Sequence, residues 1–250
     1  MSKKIKVLGF MTIHYAGDYL RESLLSVVDH VDRMVIAYSK EPSQGHGTTM
    51  ECPDNERYIF EICREVLGNK MIWHYADRYG AENEHRNVKY KYTGDYDLVL
   101  TVDSDEVYKS DELPASYEYA YWGIERFYGI DGYVNFWRSF DYACYDGFRP
   151  IRLENLHRKK NTQNLSLKQT IYHFSTCQPE TIMRYKYNVF GHAHEVRKDW
   201  LNDIFYKWSP DNQFDDVHCV ALNLWNPIPF DKSVLPIYLK SHKNYNKTLV

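Results

Sequence analysis

Apolar residues fall in two alternating rhythms along the first hundred positions. Residues 5–11 (IKVLGFM) form a mostly apolar run, which predicts a buried strand. Leu20, Leu24, Val27, Val28 and Val31 then recur at helical spacing, with Arg21, Glu22 and Asp29 on the opposite side. Residues 33–37 predict a second strand, and the polar stretch 39–55, holding Gly45, Gly47 and Pro53, predicts a long loop. A helix follows over 56–67, closed by Gly68 and Asn69, then a strand over 70–75, a helix over 83–92 and a strand over 96–102. The succession predicts an α/β protein with a doubly wound, mainly parallel sheet flanked by helices.

Beyond residue 110 the rhythm changes. Residues 112–121 and 181–190 read as helices, while 126–137 and 149–156 alternate as antiparallel strands do. The stretch holding Pro210, Pro227, Pro229 and Pro236 has no clean period. With no repeat, low-complexity tract or linker, the expectation is one compact domain with two halves, 1–107 and a mixed α+β half over 108–250.

Composition adds little; the placement of charge adds more. The chain is 44% hydrophobic and 26% charged with a net charge of −3, as an ordinary globular protein is, which gives no global reason to expect a polyanionic partner. Yet seven acidic residues lie between Asp95 and Glu112 against Lys109 alone, and nine Lys or Arg lie between Arg152 and Lys198 against three Glu. An acidic cluster followed by a basic region suits a site where a cation meets a phosphate-bearing ligand, and equally two solvated faces of opposite sign. The five cysteines are odd in number, widely spaced and without C-x-x-C, so neither a disulfide framework nor a zinc knuckle is expected. No run approaches the roughly 20 apolar residues of a membrane span, and the first residues are too briefly apolar for a signal peptide. A cytoplasmic protein without an integral membrane segment is the expectation.

The chemistry concentrates where the fourth predicted strand ends. YDLVLTV over 96–102 runs directly into Asp103-Ser104-Asp105-Glu106. In open α/β sheets ligands bind beyond the carboxyl ends of strands. Asp103 and Asp105, two apart in extended chain, can face one way and share a hard cation through oxygen. A bare D-x-D also occurs by chance as an acidic turn; the buried strand before this one sets it apart.

A family resemblance enters here. The run EHRNVKYKYTGDYDLVLTVDSDEVY over 84–108 resembles the arginine-helix, GD(Y/W) and DxDE segment of family 2 glycosyltransferases, and 12–37, with Thr12-Ile13-His14 and YLRESLLSVVDHVDRMVIA, is similar to their nucleotide-binding opening. IYHFSTCQPETIMRYKYNVFGHAHE over 171–195 resembles family 17, the N-acetylglucosaminyltransferase type. Together the resemblances cover 5–110 and 171–196. They imply the GT-A (Rossmann-like) fold and a metal-dependent transfer from a nucleotide-diphosphate sugar, a UDP-sugar favoured, to an acceptor hydroxyl with inversion. The chain departs from family 2 after the second strand, where Ala37-Tyr38-Ser39-Lys40-Glu41 replaces the usual acidic D-x-S-x-D.

The resemblance implies these roles. Asp103 and Asp105 hold Mn²⁺ or Mg²⁺, joined by a histidine, for which His173, His192 and His194 are candidates, His194 preferred; an imidazole ligand favours manganese. Thr12, His14, Tyr38, Arg86, Asp103 and Ser104 contact the donor, with Tyr38 stacking on the base and Arg184 and Lys186 as further cations. Glu195 is the base, with Asp131 and Asp141 in reserve. Apart from the resemblance, most of the aromatic residues are expected to pack core and surface, and Tyr121-Trp122 and Phe136-Trp137 in the acceptor half are the candidates for stacking on a sugar or base. Acceptor identity stays open among a glycan, a lipid-linked sugar, a small molecule, a protein and a hydroxylated nucleic-acid base. The alternatives are a nucleotidyltransferase, against which the missing glycine-rich loop after the first strand counts, and a non-catalytic nucleotide-sugar-binding protein.

Overall fold

The computed structural model describes residues 4–43, 48–189, 193–221 and 224–248. Four parallel strands, β1 (Val7–Ile13), β2 (Arg33–Ser39), β3 (Met71–Ala76) and β4 (Leu98–Thr101), lie side by side in the order β4-β1-β2-β3. The apolar runs become strands because both faces are covered. Val7, Met11, Met34, Ile36, Leu98 and Leu100 pack under α1 (Leu20–Val27) and α2 (Glu56–Leu67). Leu8, Phe10, Val35 and Val99 pack on the other face against Val88, just after α3 (Glu82–Asn87). The α2 helix begins where the Asn55 side chain accepts from Tyr58 N and ends at Gly68, whose φ of 52° a side chain would resist.

The second half joins the same sheet. Following β5 (Glu106–Tyr108) and α4 (Leu113–Trp122) come β6 (Phe127–Trp137), β7 (Tyr142–Cys144), β8 (Ile151–Asn155) and β9 (Ser166–Thr176). Antiparallel to β4 runs β8, and β6 is antiparallel to β8, as their alternating sequences predict; β9 pairs with β6 in parallel and with β5 antiparallel. Helix α5 (Glu180–Val189), strand β10 (Ile228–Pro229) and helix α6 (Ile237–Lys240) follow. Among the described residues one mixed ten-stranded sheet therefore crosses the 107/108 boundary. The proline-bearing region packs Trp200, Phe205, Trp208 and Trp225 around Trp137. Among the described residues no helix is long and apolar enough to cross a membrane, and all five cysteines are free.

Strand β1 has β2 on one side and β4 on the other, so the connections leave it in opposite directions. That switch opens a crevice beyond the carboxyl ends of β1 and β4. The chain turns sharply out of β1 at Gly17 (φ 63°), and the Ala16 and Gly17 amides are tied to Asp54 Oδ2 at 2.9 and 3.0 Å.

Candidate functional site

A cavity of about 980 Å³ fills that crevice. Its floor is built from Thr12 to Tyr15 at the end of β1 and just beyond it, and from Asp103 to Asp105 after β4; Tyr133, Asn135 and His173 stand beside them on β6 and β9. Sheet register brings the last group in: Glu106 of β5 lies opposite His173 of β9, which lies opposite Asn135 of β6.

The acidic motif divides its carboxylates between two cations. Arg152, on β8, places Nη2 2.6 Å from Asp103 Oδ2 and 2.5 Å from Glu106 Oε1, with Nε 2.8 Å from Glu106 Oε2. Tyr133 adds a hydroxyl donor to Glu106 at 2.6 Å. Burial opposes the Arg152 charge, but Asp103 and Glu106 outweigh it and hold the guanidinium pKa well above its ordinary value. Glu106 is fully buried and braces the loop from beneath.

Asp105 faces the cavity. Its Oδ2 lies 3.2 Å from Lys186 Nζ, which reaches over from α5 and is anchored on Ser175 O at 3.3 Å; its Oδ1 lies 3.7 Å from His173 Nε2. Burial alone would raise the Asp105 pKa, but Lys186 and His173 bring it below the usual value. Burial lowers His173 to about 4, so its ring is neutral at pH 7. With Nδ1–H donating to Asn135 Oδ1 at 2.7 Å, Nε2 keeps a lone pair toward Asp105. A lone pair and a carboxylate oxygen therefore face one another across 3.7 Å.

The other expected donor contacts are largely gathered here. Thr12, His14, Arg86, Asp103 and Ser104 all line the cavity. His14 Nδ1–H donates to Ser39 O at 2.9 Å and Nε2 accepts from the Tyr185 hydroxyl at 2.6 Å, so it clamps β2 and α5 to the first loop. Arg86 is paired with Glu82 at 2.7 Å, one helical turn before it.

Several expectations are redirected. Tyr38 is 4% exposed, stacked on Trp73 with centroids 5.4 Å apart, and does not line the cavity; its position inside β2 turns the ring into the core. Glu195 does line the cavity, whereas His194 is 68% exposed at the side chain and does not, so His173 is the histidine that faces Asp105. His192 lies outside the described residues. Arg184 pairs with Glu180 on the outer side of α5, and Asp131 and Asp141 pair with Arg149 and Lys232; none lines the cavity. Phe136 and Trp137 are fully buried and Tyr121 and Trp122 do not line the cavity, whose aromatic lining includes Tyr145, Phe148 and Trp225.

Sequence reasoning passed over Arg152, which only the β8 register reveals, and His85. The latter donates from Nε2 to Ala37 O at 2.6 Å, accepts from the Ser43 hydroxyl at 3.0 Å and stacks on Tyr79. It fixes the loop after β2 against α3 at the cavity edge. Its place directly before Arg86 was the available signal.

No family model matches the chain, and no curated protein matches it. Among solved structures it is similar to S. aureus TarS 1-349 (19% identity, 54% of this chain and 36% of that one, TM-score 0.34). It is also similar to a UDP-glucose pyrophosphorylase complexed with UDP-glucose (10% identity, 73% of this chain and 98% of that one, TM-score 0.31). The chain thus spans about a third of the TarS chain. At these scores neither likeness bears on the reading below, which rests on the site's own residues.

Proposed function

We propose that the chain is a metal-dependent glycosyltransferase that moves a sugar from a nucleotide-diphosphate donor, a UDP-sugar favoured, to an acceptor hydroxyl with inversion. The observation that carries this reading is the facing pair Asp105 and His173 at the β1/β4 switch, with the Lys186 ammonium on the same carboxylate.

Among the described residues no group of three His, Cys, Asp or Glu is arranged to hold a metal. Asp105 Oδ1 and the His173 Nε2 lone pair nonetheless face one another across 3.7 Å, and this oxygen and imidazole nitrogen would hold a divalent cation. Asp105 and His173 would hold the ion from the protein side, and the imidazole favours Mn²⁺ over Mg²⁺. Asp103, held by Arg152, is left to orient the loop and contact the donor ribose. Bound there, such an ion supplies Lewis-acid charge to the departing diphosphate.

The chain's own residues complete the transfer. Lys186 neutralises Asp105 in the free protein and turns its remaining N–H donors to the diphosphate as charge develops there. Arg86 stands at the cavity edge for the same anion, while Thr12, His14 and Ser104 shape the donor's bed. Glu195 takes the acceptor hydroxyl proton; the new oxygen–carbon bond forms on the face opposite the breaking bond to phosphate. The acceptor is a hydroxyl compound, a glycan in the first instance. A screen of common nucleotide sugars with Mn²⁺, reading nucleoside-diphosphate release, tests the reading; release from at least one donor supports it, and none from any donor refutes it.

A further inference from the structure

At the opposite end of β4 from Asp103, a corner of the molecule combines apolar tips with outward cations. Trp122 is 75% exposed, Ile124 67% and Tyr119 54%, on the last turn of α4 and the bend into β6. The loop after β8, which carries Arg158, Lys159 and Lys160, is fastened to that bend. Arg158 Nε donates to Gly123 O at 2.9 Å, and Asn161 Oδ1 accepts from the Arg126 and Phe127 amides at 3.0 and 2.8 Å. The rings continue the link, Trp122 to Tyr121 at 4.9 Å and Tyr121 to His157 at 5.7 Å.

The charges of this corner are sorted by depth. Glu125 is buried and turned to Thr162; Glu154 is buried beneath Lys89 and Arg126; Asp97 is buried against His157 and the Lys6 amide. Lys159 and Lys160 are exposed, as are two carboxylates, Glu118 one helical turn before Trp122 and Asp95 two residues before Asp97. The outer surface is thus an indole and a branched aliphatic chain set beside cations. An aliphatic tip has no use on a phosphodiester backbone, and a protruding tip does not form the pocket that a peptide anchor fills. An anionic bilayer answers both parts: acyl chains accept Trp122 and Ile124, and lipid phosphates meet Lys159 and Lys160.

We infer that the Trp122–Ile124 bend and the 158–160 loop form a peripheral docking surface for anionic membrane. Docked this way, the cavity at the other end of β4 stays open to a water-soluble donor.

Co-sedimentation with vesicles tests the surface directly. The intact protein binds vesicles of equal parts phosphatidylcholine and phosphatidylglycerol and leaves pure phosphatidylcholine unbound. Lys159→Glu with Lys160→Glu lowers partitioning roughly thirtyfold or more, the equivalent of two lost surface cations, and Trp122→Ala with Ile124→Ala removes it. Brominated acyl chains quench tryptophan fluorescence in the intact protein and not in Trp122→Phe, a substitution that leaves an exposed position aromatic. Equal binding to both vesicles, no binding, unchanged quenching in Trp122→Phe, or a gel shift of single-stranded RNA without vesicle binding each overturns the inference.

Discussion

The ammonium of Lys186 and the carboxylate of Asp105 meet at 3.2 Å, bridging α5 to the turn after β4, positions 81 residues apart in sequence. The contact occupies one oxygen of Asp105 and leaves the other to face His173.

Lys186→Ala should therefore affect both the site's charge and its use of donor. Loss of a charge-assisted contact to a developing anion is worth about 1.5–3 kcal/mol, so kcat/KM for diphosphate release should fall roughly 10- to 150-fold. Unchanged kinetics would restrict Lys186 to a structural tie between α5 and the loop.

Glu195→Gln removes charge and keeps shape. Turnover should fall by about 10²–10⁴, the range for general base catalysis, with nucleotide-sugar affinity retained. A matching fall in donor affinity, measured by calorimetry, would assign Glu195 to binding instead.

Much of the first half of the chain was legible because buried parallel strands are written locally, as apolar runs. The helix over 56–67 matches its observed bounds, since Asn55 and Gly68 mark both ends. Strand β9 was not read, although Ile171, Tyr172 and Phe174 are strand-forming residues; Lys168 and Gln169 break the alternation before them. The site was legible where one segment delivers it, at Asp103 to Asp105. Arg152, Lys186 and the choice of His173 over His194 depend on β8 beside β4, β9 beside β5 and α5 folding back, and no local pattern encodes those distances. Tyr38 failed as a platform for a related reason: the helix-covered face of β2 takes its ring.

Arg152→Ala leaves Glu106 buried without its guanidinium partner. Breaking a buried ion pair from one side costs about 3–5 kcal/mol, which urea unfolding should record as a lower midpoint with an unchanged slope. A loss below about 1 kcal/mol would mean that water reaches Glu106 in the folded protein.

His85 gives the protein an acid-sensitive brace. Burial lowers its pKa from 6.5 to about 4. The unfolded chain therefore binds more protons than the folded one between those values, and stability falls as pH drops from about 6.5 toward 4, by up to about 3 kcal/mol, then levels off. Unfolding curves across that window should show the slope for the intact protein and a shallower one for His85→Gln. Equal slopes would place the titration elsewhere.

In the proposed reaction Asp105 would hold a divalent cation against a donor diphosphate. The most direct measurement is nucleoside-diphosphate release from the best donor, with Mn²⁺ and with excess chelator, for the intact protein and Asp105→Asn. The expected result is release with Mn²⁺, restoration of chelated enzyme by added Mn²⁺, and loss of activity in Asp105→Asn with the fold retained by circular dichroism. Full activity in excess chelator, or Asp105→Asn turning over as the intact protein does, would contradict it.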